Sequence, residues 1–144
     1  WYGVLGQLLS DRGFRFGRIL SFDLNPAATA MANRLNSDLK RSGRFAALTA
    51  DIHDIDYATY APSLIINTSC EHLIDFQGWF RRVPVGSRLV LQSNDYFAEP
   101  EHVNCVESLQ RFAEQAPLSN LLFQGSLETD RYTRFMLIGD KSVC

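Results

Sequence analysis

The chain has 144 residues, the length of one ordinary domain, and its 46% hydrophobic and 21% charged residues exclude a disordered, collagen-like or low-complexity polypeptide. Fourteen basic against sixteen acidic side chains give a formal net charge of -2, so no bulk attraction draws the chain to a nucleic-acid backbone. No apolar run approaches the roughly 18 residues a membrane helix needs. The sequence opens Trp-Tyr-Gly-Val-Leu-Gly, with neither an initiator Met nor a basic segment before an apolar stretch. It reads as a piece of a longer product without a signal peptide. Cys70, Cys105 and Cys144 are an odd number without CxxC spacing, which argues against a disulfide framework or a zinc site and makes a reducing cytoplasm the simplest compartment.

Apolar positions Val4, Leu5, Leu8 and Leu9 predict a helix within Trp1 to Asp11, stopped by Gly13. Arg18 to Asp23 reads as a short strand ending in a carboxylate. Asn25-Pro26 then suits a helix cap and first turn, followed by an Ala-rich helix over Ala27 to Ser37. A second strand is expected over Phe45 to Ala50, closed by Asp51, and a third over Ser63 to Asn67. Glu71 to Arg82 predicts a helix with Leu73, Ile74, Phe76, Trp79 and Phe80 on its apolar side. Ser87 to Gln92 forms the fourth strand, followed by a polar Ser93-Asn94-Asp95. Val103, Val106, Leu109, Phe112 and Ala113 predict a helix that ends before Pro117. The last two strands, Asn120 to Gln124 and Tyr132 to Ile138, have no helix between them and read as an antiparallel hairpin.

Alternation of strands and helices predicts an α/β fold with a mainly parallel sheet and a C-terminal antiparallel hairpin. Ligands of such sheets bind beyond the carboxyl ends of the strands. Each of those ends is polar here: Asp23, Asp51, Asn67, and Ser93 with Asn94 and Asp95. Such residues also terminate strands and cap helices. Their recurrence at consecutive strand ends points to a nucleotide-like ligand.

The ordered segments ILSFDLNP, LTADIHDID, SLIINTSCEHLIDFQGWFRRVPVGSRLVLQSND and YTRFMLIGD resemble a class I S-adenosylmethionine-dependent methyltransferase, from Arg18 onward. The resemblance implies a three-layer Rossmann-like domain over residues 1–144 with the cofactor S-adenosylmethionine; the near-neutral charge favours a small-molecule methyl acceptor over nucleic acid, and no membrane partner is expected. It assigns Asp23 to the ribose hydroxyls, which a carboxylate can accept in pairs, with Leu24 against the adenine face. It assigns Asp51 to the adenine amine, with the Ile52 backbone N–H toward the ring. Asn67 and Thr68 fall beneath the methionine part and the reacting methyl. The family's first strand and glycine-rich turn have no counterpart. Gly3 and Gly6 lie on the first helical stretch, so the domain reads as N-terminally incomplete, with Ile19 to Asp23 and Leu64 to Asn67 flanking an absent strand. A degenerate, non-catalytic methyltransferase relic and a nicotinamide-nucleotide-binding domain are the alternatives.

Methyl transfer needs the acceptor aligned and, where necessary, deprotonated. The candidate bases are His72, Glu71, Asp95, Tyr96 and His102; of these Glu71 and His72, just past the third strand of this chain, are the candidate catalytic groups, and Asn94, Asp95 and Tyr96 are the candidate substrate contacts. Glu71 also suits a first-turn helix carboxylate, His72 a helix-surface side chain, and His102 a capping or surface residue. Cys70 reads as a small buried side chain, and Trp79 and Phe80 as core. His53 with Asp54 and Asp56 lacks a further spaced ligand, so no metal site is expected.

Overall fold

The computed structural model describes residues 2–142; Cys144 and the first residue of the predicted N-terminal helix lie outside the described residues. The chain forms two compact units, one up to Ile55 and one from Asp56 onward.

In the first unit, helix α1 spans Val4–Asp11 and Gly3 is its N-cap. Gly3 has φ +70°, and a Cβ there would sit 2.9 Å from the Ala32 Cβ, so only glycine lets α1 approach the following helix this closely. Strand β1 is Ile19–Asp23 and helix α2 is Pro26–Leu35. As the sequence suggested, the Asn25 side chain caps α2 by accepting from the Ala27 N–H at 2.9 Å. The predicted helix does not run through to Ser37. It breaks at Asn36, which is buried and donates from Nδ2 to the Ala32 and Gly3 carbonyls, and a short helix α3, Ser37–Arg41, follows. Strand β2, Phe45–Thr49, pairs in parallel with β1, Asp23 standing opposite Thr49. Ala32, Leu39, Phe45 and Ala47 form the core, with Phe16 and Ile19 packed against it. Burial of a side chain the size of Phe45 contributes about 1.5–3 kcal/mol.

The second unit opens with a single-turn helix α4, Tyr57–Tyr60, capped by Asp56. Strands β3, Leu64–Asn67, and β4, Arg88–Asn94, pair in parallel. Strands β5, Leu118–Glu128, and β6, Thr133–Lys141, form the antiparallel hairpin, longer than the sequence indicated and closed by the loop 129–132. Within the sheet the order is β3-β4-β6-β5, so the last strand lies beside β4. Helix α5, Phe76–Arg82, packs Phe76, Trp79 and Phe80 into the core, as expected. The Trp79 Nε1–H donates to the Tyr57 hydroxyl at 2.8 Å.

Two further helices are shorter than predicted. The segment from Glu71 does not start a continuous helix: Cys70–His72 is a single 3-10 turn, and α5 begins only at Phe76. The Asp75 carboxylate takes the Gly78 N–H at 2.7 Å, a cap that starts a new helix there, and Ile74 is left exposed before it. Likewise Val103 to Ser108 is a loop, and helix α6 is Leu109–Gln115, because the Ser108 hydroxyl caps it by accepting from the Arg111 N–H. His102 therefore lies in the loop after β4, not at a helix start. The predicted polar loop after β4 also begins later, since Ser93 and Asn94 belong to the strand and are buried.

Candidate functional site

In the first unit the parallel register brings the ends of β1 and β2 side by side, and the Ala50 N–H donates to the Asp23 carbonyl at 3.1 Å. Asp23 is half-buried. Its Oδ1 accepts the Asn25 N–H at 2.8 Å, which turns the chain into α2. Partial burial opposes its ionisation, and the hydrogen bond from the Asn25 amide favours it. Leu24 beside it is 68% exposed, an apolar side chain left in solvent at a strand end. Asp51 caps the single 3-10 turn Ile52–Asp54. Its Oδ1 receives both the His53 N–H and His53 Nδ1, each at 2.8 Å, and these hydrogen bonds, the backbone one first, hold its carboxyl below the usual range. Ile52 is half-buried. The two assigned carboxylates thus stand at neighbouring strand ends, both ionised at neutral pH.

In the second unit, Asn67 ends β3 and its Oδ1 accepts the Ser69 N–H at 3.0 Å, which bends the chain through Thr68 into the Cys70–His72 turn. That turn packs on β4. It is tied down from the other side by Asn104, whose backbone N–H donates to the Glu71 carbonyl at 2.8 Å and whose Nδ2 donates to the Cys70 carbonyl at 3.0 Å. Glu71 is only 3% exposed, so it is not the solvated first-turn carboxylate that a helix would have made of it. Around it the structure leaves four buried polar atoms without a hydrogen-bond partner among the described residues: Asn67 Nδ2, Ser69 Oγ, Glu71 Oε2 and Ser93 Oγ. Asn36 Oδ1 and Gln115 Oε1 are likewise without a partner elsewhere among the described residues, whereas these four lie at the carboxyl ends of adjacent strands and in the turn that follows, where sheets of this kind bind their ligands.

Cys70 is buried beside this group. Burial, and then the charge of Glu71, push its thiol well up, which makes it inert as a nucleophile at neutral pH. Cys105, half-buried, is raised by burial and by the charges of Glu71 and Asp95.

The candidate substrate contacts are partly committed to the fold. Asn94 Oδ1 accepts from the Tyr96 N–H at 2.9 Å, and Asp95 Oδ1 accepts from the Thr133 N–H at 2.6 Å, fixing the start of β6. Tyr96 stacks on Tyr132 with ring centroids 5.4 Å apart and meets the His102 ring edge-on at 5.8 Å. His102 itself lies edge-on to His72, centroids 4.6 Å apart. The structure therefore joins Tyr96 and His72 through His102, which the sequence offered both as a candidate base and as a capping or surface residue. Ser69 was missed; its polar side chain sits in a segment whose burial is decided by tertiary packing.

No family model and no curated protein matches the sequence. Its fold is the α/β fold of S-adenosylmethionine-dependent methyltransferases, with the C-terminal antiparallel hairpin. Among solved structures, the chain is similar to N-methyltransferase NodS from Bradyrhizobium japonicum WM9, with a TM-score of 0.64 and 13% identity over 99% of this chain and 82% of that one. It is similar to geranyl diphosphate C-methyltransferase from Streptomyces coelicolor A3(2), with a TM-score of 0.66 and 15% identity over 94% of this chain and 68% of that one. It is also similar to the PH0226 protein from Pyrococcus horikoshii OT3, with a TM-score of 0.69 and 11% identity over 97% and 78%. No helix among the described residues is long and apolar enough to cross a membrane.

Proposed function

We propose that this chain is a methyltransferase domain that uses S-adenosylmethionine to methylate a small molecule in the cytoplasm. The observation that carries the reading is the set of unpartnered buried polar atoms at the ends of β3 and β4, in a fold shared with methyltransferases whose structures hold S-adenosyl-L-homocysteine. The residues fit that cofactor: two ionised carboxylates at neighbouring strand ends suit a ribose and an adenine amine, and an exposed Leu24 suits a ring face.

The cofactor supplies a methyl group on a positively charged sulfonium, which is already a good leaving group. The chain then has three tasks. Asp23 accepts from the ribose hydroxyls and Asp51 from the adenine amine, with Leu24 and the Ile52 backbone against the ring. Asn67 and Thr68 hold the methionine end, Asn67 Nδ2 being a buried donor in want of an acceptor. Glu71 and His72 face the acceptor. The His72 Nδ1 lies 3.1 Å from the Glu101 carbonyl, an acceptor only, so Nδ1 carries the hydrogen and Nε2 keeps a lone pair able to take a proton from the acceptor. Asn94, Asp95 and Tyr96 form the acceptor-side wall.

Calorimetric titration of the full-length protein tests the reading. S-adenosylhomocysteine is expected to bind, and NAD neither to bind nor to compete. Binding of NAD in its place would transfer the strand-end carboxylates to a nicotinamide nucleotide and refute the proposal.

A further inference from the structure

Glu71, His72 and His102 come from two separate segments, the 3-10 turn after β3 and the loop after β4. One nitrogen of each imidazole and one carboxylate oxygen of Glu71 lie within 4.8 Å of one another. Each imidazole is held the same way. The His72 Nδ1–H donates to the Glu101 carbonyl and the His102 Nδ1–H to the Tyr96 carbonyl, both at 3.1 Å. A carbonyl can only accept, so both rings are fixed in the tautomer that keeps the Nε2 lone pair. Donation of one ring nitrogen to a backbone carbonyl is the arrangement by which proteins orient metal-bound histidines. The third group supplies an independent sign. Glu71 is 97% buried by its 3% exposure, and its Oε2 has no hydrogen-bond partner among the described residues. An ionised carboxylate in that position is costly unless a cation or a donor meets it.

We propose that Glu71, His72 and His102 bind one divalent transition-metal ion. Two imidazole nitrogens and one carboxylate oxygen select the zinc, iron(II), cobalt and manganese class over magnesium and calcium, which prefer all-oxygen sites. Ligands at roughly 2.0–2.2 Å from an ion stand about 3–3.5 Å apart, so the three side chains close on the ion by about an ångström. Three protein ligands leave coordination positions open, as catalytic sites do and closed structural sites do not. An oxygen donor of a substrate fits there, polarised by the ion, with its proton released to water. This last point rests on the methyltransferase reading, and the ion then replaces the His72 Nε2 as the group that activates the acceptor. The binding of the metal does not rest on that reading.

The test uses the full-length protein, stripped with a chelator and titrated without S-adenosylmethionine. Co2+ is followed by its visible ligand-field bands and Zn2+ by competition with a chromophoric chelator. The expected result is one ion per chain at micromolar affinity or tighter. His102→Gln and Glu71→Gln are expected to weaken it by about 100-fold or more, while His53→Gln, at the other histidine of the chain, leaves it unchanged. Circular dichroism establishes that each variant is folded, and His72→Gln serves in place of any that is not. A folded wild type that binds neither ion would overturn the site, as would equal affinity in the His102 and His53 variants. Because S-adenosylhomocysteine binding is measured separately, failure of the metal site and failure of the methyltransferase reading give different results.

Discussion

Replacing Asp23 separates its two tasks. In the protein alone its Oδ1 takes the Asn25 N–H and shapes the turn from β1 into α2. Loss of one such hydrogen bond costs about 0.5–1.5 kcal/mol of stability. With cofactor bound, the same carboxylate is expected to accept from ribose hydroxyls as well. The Asn25 N–H it accepts favours its ionised form and it is half-buried, so these are hydrogen bonds to a charged group in partly screened surroundings. Their loss costs about 1.5–3 kcal/mol, or a weakening of S-adenosylhomocysteine binding by about 10- to 150-fold. Asp23→Asn keeps one acceptor oxygen for the turn and loses the charge, so its melt should stay near wild type while its affinity falls between those of wild type and Asp23→Ala. Denaturant melts and calorimetry on the three proteins read the two effects independently. An Asp23→Ala protein that melts lower yet binds with wild-type affinity would leave Asp23 a turn residue only and refute its cofactor role.

Asp51→Asn should retain part of the cofactor affinity, because the amide oxygen still accepts, whereas Asp51→Leu should lose much more; equal affinities by calorimetry would remove Asp51 from the site. Tyr57→Phe takes the acceptor from the buried Trp79 Nε1–H and should lower stability by about 1–3 kcal/mol in a denaturant melt, and an unchanged midpoint would mean that the hydrogen bond contributes nothing net. Burial and the Glu71 charge raise the Cys70 thiol, so its thiolate fraction is negligible until the pH rises well past the ordinary cysteine value. Alkylation at about pH 8 should therefore spare Cys70 in the folded protein and modify it in denaturant, and rapid labelling of the native protein would contradict its burial.

What was legible in the sequence follows the range of the forces involved. Strands β1 to β4 and the hairpin were read because alternating or continuous apolar runs and turn residues act locally. The cap at Asn25 was equally local. The helix expected from Glu71 failed because Asp75 restarts the chain at Phe76, and a capping carboxylate competes with apolar periodicity in a way that periodicity cannot register. Its failure matters most for function, since the resulting 3-10 turn buries Glu71 and turns His72 toward the loop after β4. The meeting of His72 with His102 depends on Asn104 tying two segments together, a contact between residues 34 apart in sequence. The strand-end acids needed only their position after apolar runs. Ser93 and Asn94 lay one step deeper, inside β4, where pairing with β6 extends the strand past its apolar residues.

Hydrogen–deuterium exchange of the full-length protein, with and without S-adenosylhomocysteine, tests the central claim most directly, because it reads binding and location together. The account predicts slowed exchange in three peptides, around residues 22–25, 50–54 and 67–72, at the ends of β1, β2 and β3. Exchange unchanged by saturating S-adenosylhomocysteine, or protection confined to other segments, would contradict it.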